Sequence, residues 1–125
     1  MTDNAFGEYL RELRKTREPQ MTQEMLAQAI GRSKMTISQF EKGKNSPPQG
    51  ELLESLATAL SLNDIERSKF YFLAAQSRGS LPSDIEDYFF ENPAICDVIR
   101  AAMNNSDHVD WCAVAENFGA KNEED

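Results

Sequence analysis

The chain has 125 residues, of which 40% are apolar, which suits one domain or a small domain plus an extension. Its 13 Lys and Arg against 21 Asp and Glu give a net charge of −8. No apolar run approaches the length of a membrane span and no charged-then-apolar leader opens the chain, so a cytoplasmic protein is expected.

The first predicted helix covers residues 4–16, capped by Asp3 or Asn4, with Phe6, Tyr9, Leu10 and Leu13 as its apolar stripe. A connector with Pro19 leads to Thr22, a good N-cap, followed by Gln23 and Glu24 as acceptors in the first turn of a second helix. Leu26, Ala29 and Ile30 give that helix one apolar face. Ala27 is small where two helices must cross closely, and Gly31 permits a turn too tight for a β-carbon. Ser33 then caps a third helix, whose buried stripe is Ile37 and Phe40 and whose end is Gly43.

The opposite face of this third helix carries Lys34, Met35, Thr36, Ser38 and Gln39, with no acid among them. Solvated helix faces normally mix acids with bases. A row of donors, an amide and an adaptable apolar group at the N-terminal half of a helix suits insertion into a DNA major groove, where the helix dipole also favours an anion.

The stretch from Thr22 to Lys44 resembles the helix-turn-helix of the Cro and phage-repressor (XRE) family of bacterial DNA-binding proteins. Gln23, Leu26-Ala27, Ile30-Gly31, Ile37 and the run Phe40-Glu41-Lys42-Gly43-Lys44 carry the likeness, which covers about the first 62 residues. The resemblance implies a lambda-repressor-like bundle and a bacterial or phage origin. It also implies an ion pair between Arg14 and Glu41, and phosphate contacts near Lys44 and Asn45. Physically, a half-buried carboxylate beside a recognition helix needs a cation.

After Gly43 the loop KNSPPQG cannot continue a helix. A fourth helix is predicted from Pro48 to Leu60, with Leu52, Leu53, Leu56, Ala57 and Leu60 completing the core. Asn63 caps a fifth helix over residues 64–78, ended by Gly79. A sixth is predicted over 81–91, with Ser83 as cap and Ile85, Tyr88 and Phe89 inward. Asn92 as cap and Pro93 at the first position start a seventh, with Ile95, Val98, Ile99, Ala102 and Met103 on one face. An eighth is predicted from Asp107 to Phe118 around Val109, Trp111, Cys112 and Ala115, and the tail KNEED is expected to fray.

Catalysis has no foothold: HExxH, GxSxG, a Walker loop and a dinucleotide fingerprint are all absent from the sequence. Cys96 and Cys112 lack metal spacing and His108 stands alone, so reduced thiols and no metal or cofactor are expected. Charge is divided along the chain. Residues 1–50 hold eight Lys and Arg against six Asp and Glu, whereas residues 51–125 hold five against fifteen. The basic part coincides with the motif, a pointer to nucleic acid, and affinity must come from a focused face.

Eight of the eleven aromatics fall in the second half, including the triplets Phe70-Tyr71-Phe72 and Tyr88-Phe89-Phe90. Neither triplet can bury every ring on one helix face. A wide helical core, a self-association surface and a small-ligand pocket all remain open readings.

The expectation is an all-α protein with a helix-turn-helix domain over 1–62 and a helical, oligomerising region over 63–125. A chain cut after Leu62 is expected to remain a folded monomer. The function expected is a dimeric, sequence-specific transcriptional repressor of double-stranded DNA. Lys34, Met35, Thr36, Ser38 and Gln39 would meet base edges; Gln23, Arg32, Ser33, Lys44 and Asn45 would hold the backbone. Phe70, Phe72, Phe90 and Trp111 are the expected dimer anchors. Two other readings are the antitoxin of a toxin–antitoxin pair, holding its toxin with the acidic half, and an interaction module that kept the fold without binding DNA.

Overall fold

The computed structural model describes residues 4–105 and 109–119. Asp3, Asp107, His108 and the KNEED tail lie outside the described residues. Among the described residues there are eight α-helices and no strand: α1 (Ala5–Thr16), α2 (Gln23–Ile30), α3 (Lys34–Lys42), α4 (Glu51–Ala59), α5 (Asp64–Arg78), α6 (Glu86–Glu91), α7 (Ala94–Asn104) and α8 (Trp111–Asn117). They form two compact units, Met1–Ser83 and Asp84–Asp125.

In the first unit, local chemistry sets most helix ends. Thr22 Oγ1 accepts the Met25 N–H and Ser33 Oγ accepts the Thr36 N–H, each satisfying an amide that the helix cannot. Gly31 (φ 70°) and Gly43 (φ 76°) close α2 and α3 in the left-handed region, where a β-carbon is costly. Asn63 and Glu66 form a reciprocal capping box at the start of α5. Asn4 occupies the N-cap position of α1, yet its side chain caps nothing there; Nδ2 donates instead to the Glu41 carbonyl at 2.8 Å. Helix α4 begins at Glu51 instead of Pro48, because Gly50 takes φ 64° and ψ −137°, a conformation through which an α-helix cannot run.

Leu10, Leu26, Ile37, Leu53, Leu56, Leu60 and Phe70 are the largest fully buried side chains, drawn from all five helices and the end of α4. The fifth helix is therefore part of this core. Its Phe70, Tyr71, Ala74 and Ala75 are buried, and Phe70 stacks at 5.0 Å on Phe6. Lys69 Nζ sits 4.6 Å from the centre of the Tyr9 ring. Arg17 makes two bonds to Glu66, at 2.7 and 3.1 Å, and reaches the Leu60 carbonyl at 3.2 Å. This hydrogen bonding holds the Glu66 carboxyl below the usual carboxylate range and raises Arg17 above its ordinary value. The compact unit thus extends well beyond residue 62. A cut after Leu62 would strip Phe70 off Phe6, so the fold does not support the expected folded monomer at that boundary.

At the close of α1 on α3, Gly7 has no room for a side chain. A β-carbon there would lie 2.4 Å from the Phe40 carbonyl oxygen and 2.7 Å from that of Glu41. Only the absence of a β-carbon lets the two backbones meet.

The second unit is built differently. No described residue in 84–105 or 109–119 is buried. Helix α6 is shorter than expected: residues 83–85 form a turn and Ile85 stands at its N-cap without a side-chain bond. Pro93 occupies the N-cap of α7, and the Asn92 amide donates back to the Tyr88 carbonyl at 2.8 Å, closing α6 instead of capping α7. Asp110 caps α8 by accepting the Ala113 N–H at 3.1 Å. The apolar stripe of α7 has the expected helical spacing, but Val98, Ile99 and Met103 are exposed, as are Ile85 and Tyr88, which were expected to face inward. A helix stripe is read from sequence spacing; what covers it is not.

Candidate nucleic-acid interface

Helices α2 and α3 pack through Leu26 and Ala27 on one side and Ile37 and Phe40 on the other, all buried. The turn between them closes with the Arg32 N–H on the Ala27 carbonyl at 2.9 Å. With Ile37, Phe40 and Glu41 turned inward, the 3.6-residue period turns Met35, Gln39 and Lys42 away from the core with Ser38 at their flank, and Lys34 is exposed as the first residue of the helix.

Gln23, Lys34, Met35, Ser38, Gln39, Lys42 and Lys44 line one concavity. Three ammonium groups and two amides surround it, and its lining holds no carboxylate. Met35 is 67% exposed, an adaptable apolar contact on an otherwise polar surface. Thr36 is half-buried and its hydroxyl lies 3.1 Å from Ser33 Oγ, so these two residues share a hydrogen bond at the head of the helix. Arg32 is exposed, with Nη1 3.4 Å from the Gly31 carbonyl, outside the concavity lining.

Glu41 is the one acid of α3, and it is taken out of the field of the lysines. Arg14 Nε and Nη2 bond its two carboxylate oxygens at 2.7 and 3.1 Å, and Gln23 Nε2 adds a third bond at 3.0 Å. Arg14 also donates to the Met21 carbonyl at 3.0 Å. The two side chains are 9% and 4% exposed. A two-pronged pair of this kind neutralises the carboxylate and locks α1 to α3. The ion pair implied by the family resemblance is present.

Other expected residues fall less simply. Gln23, expected on the DNA backbone, spends one amide hydrogen on Glu41 while still lining the concavity. Asn45 donates from Nδ2 to Gln39 Oε1 at 2.8 Å. Lys42 was not singled out from the sequence, where a lysine in the last helical turn reads as a partner of the helix dipole; its place beside Lys34 and Lys44 emerges from the turn at Gly43.

Of the four expected dimer anchors, Phe70 must be withdrawn. It is fully buried within the first unit and has no surface to offer. Phe72 is exposed on the same helix, and Phe90 and Trp111 are exposed in the second unit. Cys96 and Cys112 are free thiols. Among the described residues no three His, Cys, Asp or Glu side chains are grouped to hold a metal, and no helix is long and apolar enough to cross a membrane.

No curated protein and no solved structure matches the chain. A protein-family model described as a helix-turn-helix domain matches residues 5–70, more than half of the sequence. The matched segment ends inside α5, after the four helices, the ion pair and the concavity have all been included. The chain belongs to the helix-turn-helix domain family, which is related to the Cro-type domains and whose members are typically DNA-binding proteins without catalytic activity.

Proposed function

We propose that this chain is a sequence-specific DNA-binding regulator of the Cro and phage-repressor kind, acting in the cytoplasm as a dimeric repressor. One observation carries the reading: α3 and the turn that ends it display Lys34, Lys42 and Lys44 around Ser38 and Gln39, while the only acid of α3 is held by Arg14. A protein of net charge −8 that binds a polyanion needs such a local reversal of sign.

In this reading α3 enters the major groove. Lys34, Met35, Thr36, Ser38 and Gln39 meet base edges, with Lys34 suited to guanine acceptors and Met35 to a thymine methyl. Gln23, Arg32, Ser33, Lys42 and Lys44 set the helix against phosphates. One such domain covers one half-site, and a two-fold dimer covers two about 34 Å apart. The exposed Phe90 and Trp111, with the uncovered α7 stripe, supply apolar surface for that association. Residues 84–125 hold two basic residues against eleven acids, so this unit is repelled by a phosphate backbone.

A gel shift of the full chain against the DNA upstream of its own gene, with a scrambled duplex as control, tests the reading. A retarded band on the upstream fragment at a protein concentration that leaves the scrambled duplex free is the expected result. Equal retention of both fragments would remove sequence specificity, and no retention of either would remove DNA binding.

A further inference from the structure

The C-terminal turn of α3 folds back onto Gln39. With Gly43 in the left-handed region, the Lys44 and Asn45 N–H groups both donate to the Gln39 carbonyl, at 2.9 and 3.3 Å. That double closure places the Asn45 side chain beside the Gln39 side chain, and Asn45 Nδ2 donates to Gln39 Oε1 at 2.8 Å. No other hydrogen bond reaches the Gln39 amide among the described residues, so its Nε2 keeps its donors. Gln39 also lines the basic concavity with Lys34, Ser38 and Lys42.

A free glutamine amide is ambivalent. Half a turn about its last torsion exchanges an acceptor for a donor pair, and the usual pairing with adenine uses one of each. Here the oxygen is already engaged by a neighbour, and the nitrogen is what remains for a base. We infer that Asn45 is a positioning residue for base readout and not a phosphate anchor: it holds the Gln39 amide so that Nε2 meets the groove. The base edge that fits is one of acceptors, with guanine N7 and O6 the best match. This inference rests on the DNA-binding reading above and assigns the specificity of one position within it.

Selection of bound duplexes from a randomised library, followed by sequencing, reads the preference at every base pair. It is run on the full chain and on Gln39→Ala, Asn45→Ala, the double replacement of both by alanine, and Asn45→Asp, with affinity for a random duplex measured alongside. Gln39→Ala marks the base pair that Gln39 reads. Asn45→Ala should flatten the guanine preference at that same base pair by roughly five-fold or more, with random-duplex affinity unchanged. The variant lacking both side chains should be no flatter there than Gln39→Ala alone. Asn45→Asp should turn the amide over, since a carboxylate accepts from Nε2 and leaves Oε1 outward. Preference then moves to a base that offers a donor, cytosine N4 or adenine N6, whatever the added charge does to overall affinity.

The inference is overturned if Asn45→Ala weakens every sequence equally and keeps the preference, which is the behaviour of a phosphate contact. It is also overturned if Asn45→Ala flattens a different base pair, because Asn45 then reads a base itself. A wild-type chain with no preference at any position overturns the DNA reading and this inference with it, and the wild-type selection alone distinguishes that failure from the other two.

Discussion

Replacing Arg14 by alanine removes the counter-ion of the Glu41 carboxylate, which is 4% exposed in the intact pair, and leaves the Gln23 amide as its remaining side-chain partner. The magnitude follows from what is removed. Two charge-assisted bonds, at 2.7 and 3.1 Å, are worth roughly 1.5–3 kcal/mol each, and a buried charge stripped of its counter-ion costs about 3–5 kcal/mol in total. Glu41→Ala should cost a similar amount, because Arg14 then keeps, among the described residues, only its bond to the Met21 carbonyl. The double replacement Arg14→Ala with Glu41→Ala should recover part of the loss, since it leaves no buried charge. Urea unfolding followed by far-ultraviolet circular dichroism measures all four corners of the cycle, and the melting temperature should fall by at least about 12 °C in each single variant. A coupling energy below a few tenths of a kcal/mol would show that the pair is geometric decoration and that α1 is held to α3 by apolar packing alone.

Operator affinity should fall with salt at a log–log slope of roughly −5 to −7 for a dimer neutralising about six to eight phosphates; fluorescence anisotropy at several salt concentrations reads this, and a slope flatter than about −2 contradicts the basic-face reading. Gln39→Ala should cost about 1–3 kcal/mol on the preferred site and little on random duplex, whereas Lys44→Ala should weaken both nearly equally; equal losses from both variants would refute the division of roles. The Arg17–Glu66 pair contributes acid-sensitive stability: because the folded Glu66 carboxyl lies below its unfolded value, the contribution is present above the unfolded value near ~4.3 and is lost as pH falls through the folded one. Its size should be about 1 kcal/mol or less, since the pair is partly exposed and Arg17 Nε is buried without a partner; Glu66→Gln should remove the acid-side slope, and an unchanged slope would assign it to other groups. A chain ending at Ser83 should fold and sediment as a monomer, while one ending at Leu62 should lack a cooperative transition because Phe70 and Tyr71 leave the core; a dimeric 1–83 chain would place self-association outside the second unit.

The ends of the first five helices were legible in the sequence wherever one residue and its near neighbours decide them. Thr22, Ser33 and Asn63 cap because their side chains reach amides three positions on, and Gly31 and Gly43 close helices because of the conformation each can take. The acid-free face of α3 was legible for the same reason, as a periodic pattern along one helix. The Arg14–Glu41 pair spans 27 positions; the family resemblance implied it, and no local rule reaches that far. Tertiary structure alone decided the rest. Phe70 lies inside and Phe72 outside because α5 lays one face on Phe6, a choice that a run of three aromatics does not contain. Gly7, Asn4 and Asn45 take their roles from the Phe40 and Glu41 carbonyls and the Gln39 amide that the fold sets against them. Side chains read their own helix through spacing, but a contact between distant positions exists only once the chain has closed, and the candidate interface of this protein is built from such contacts.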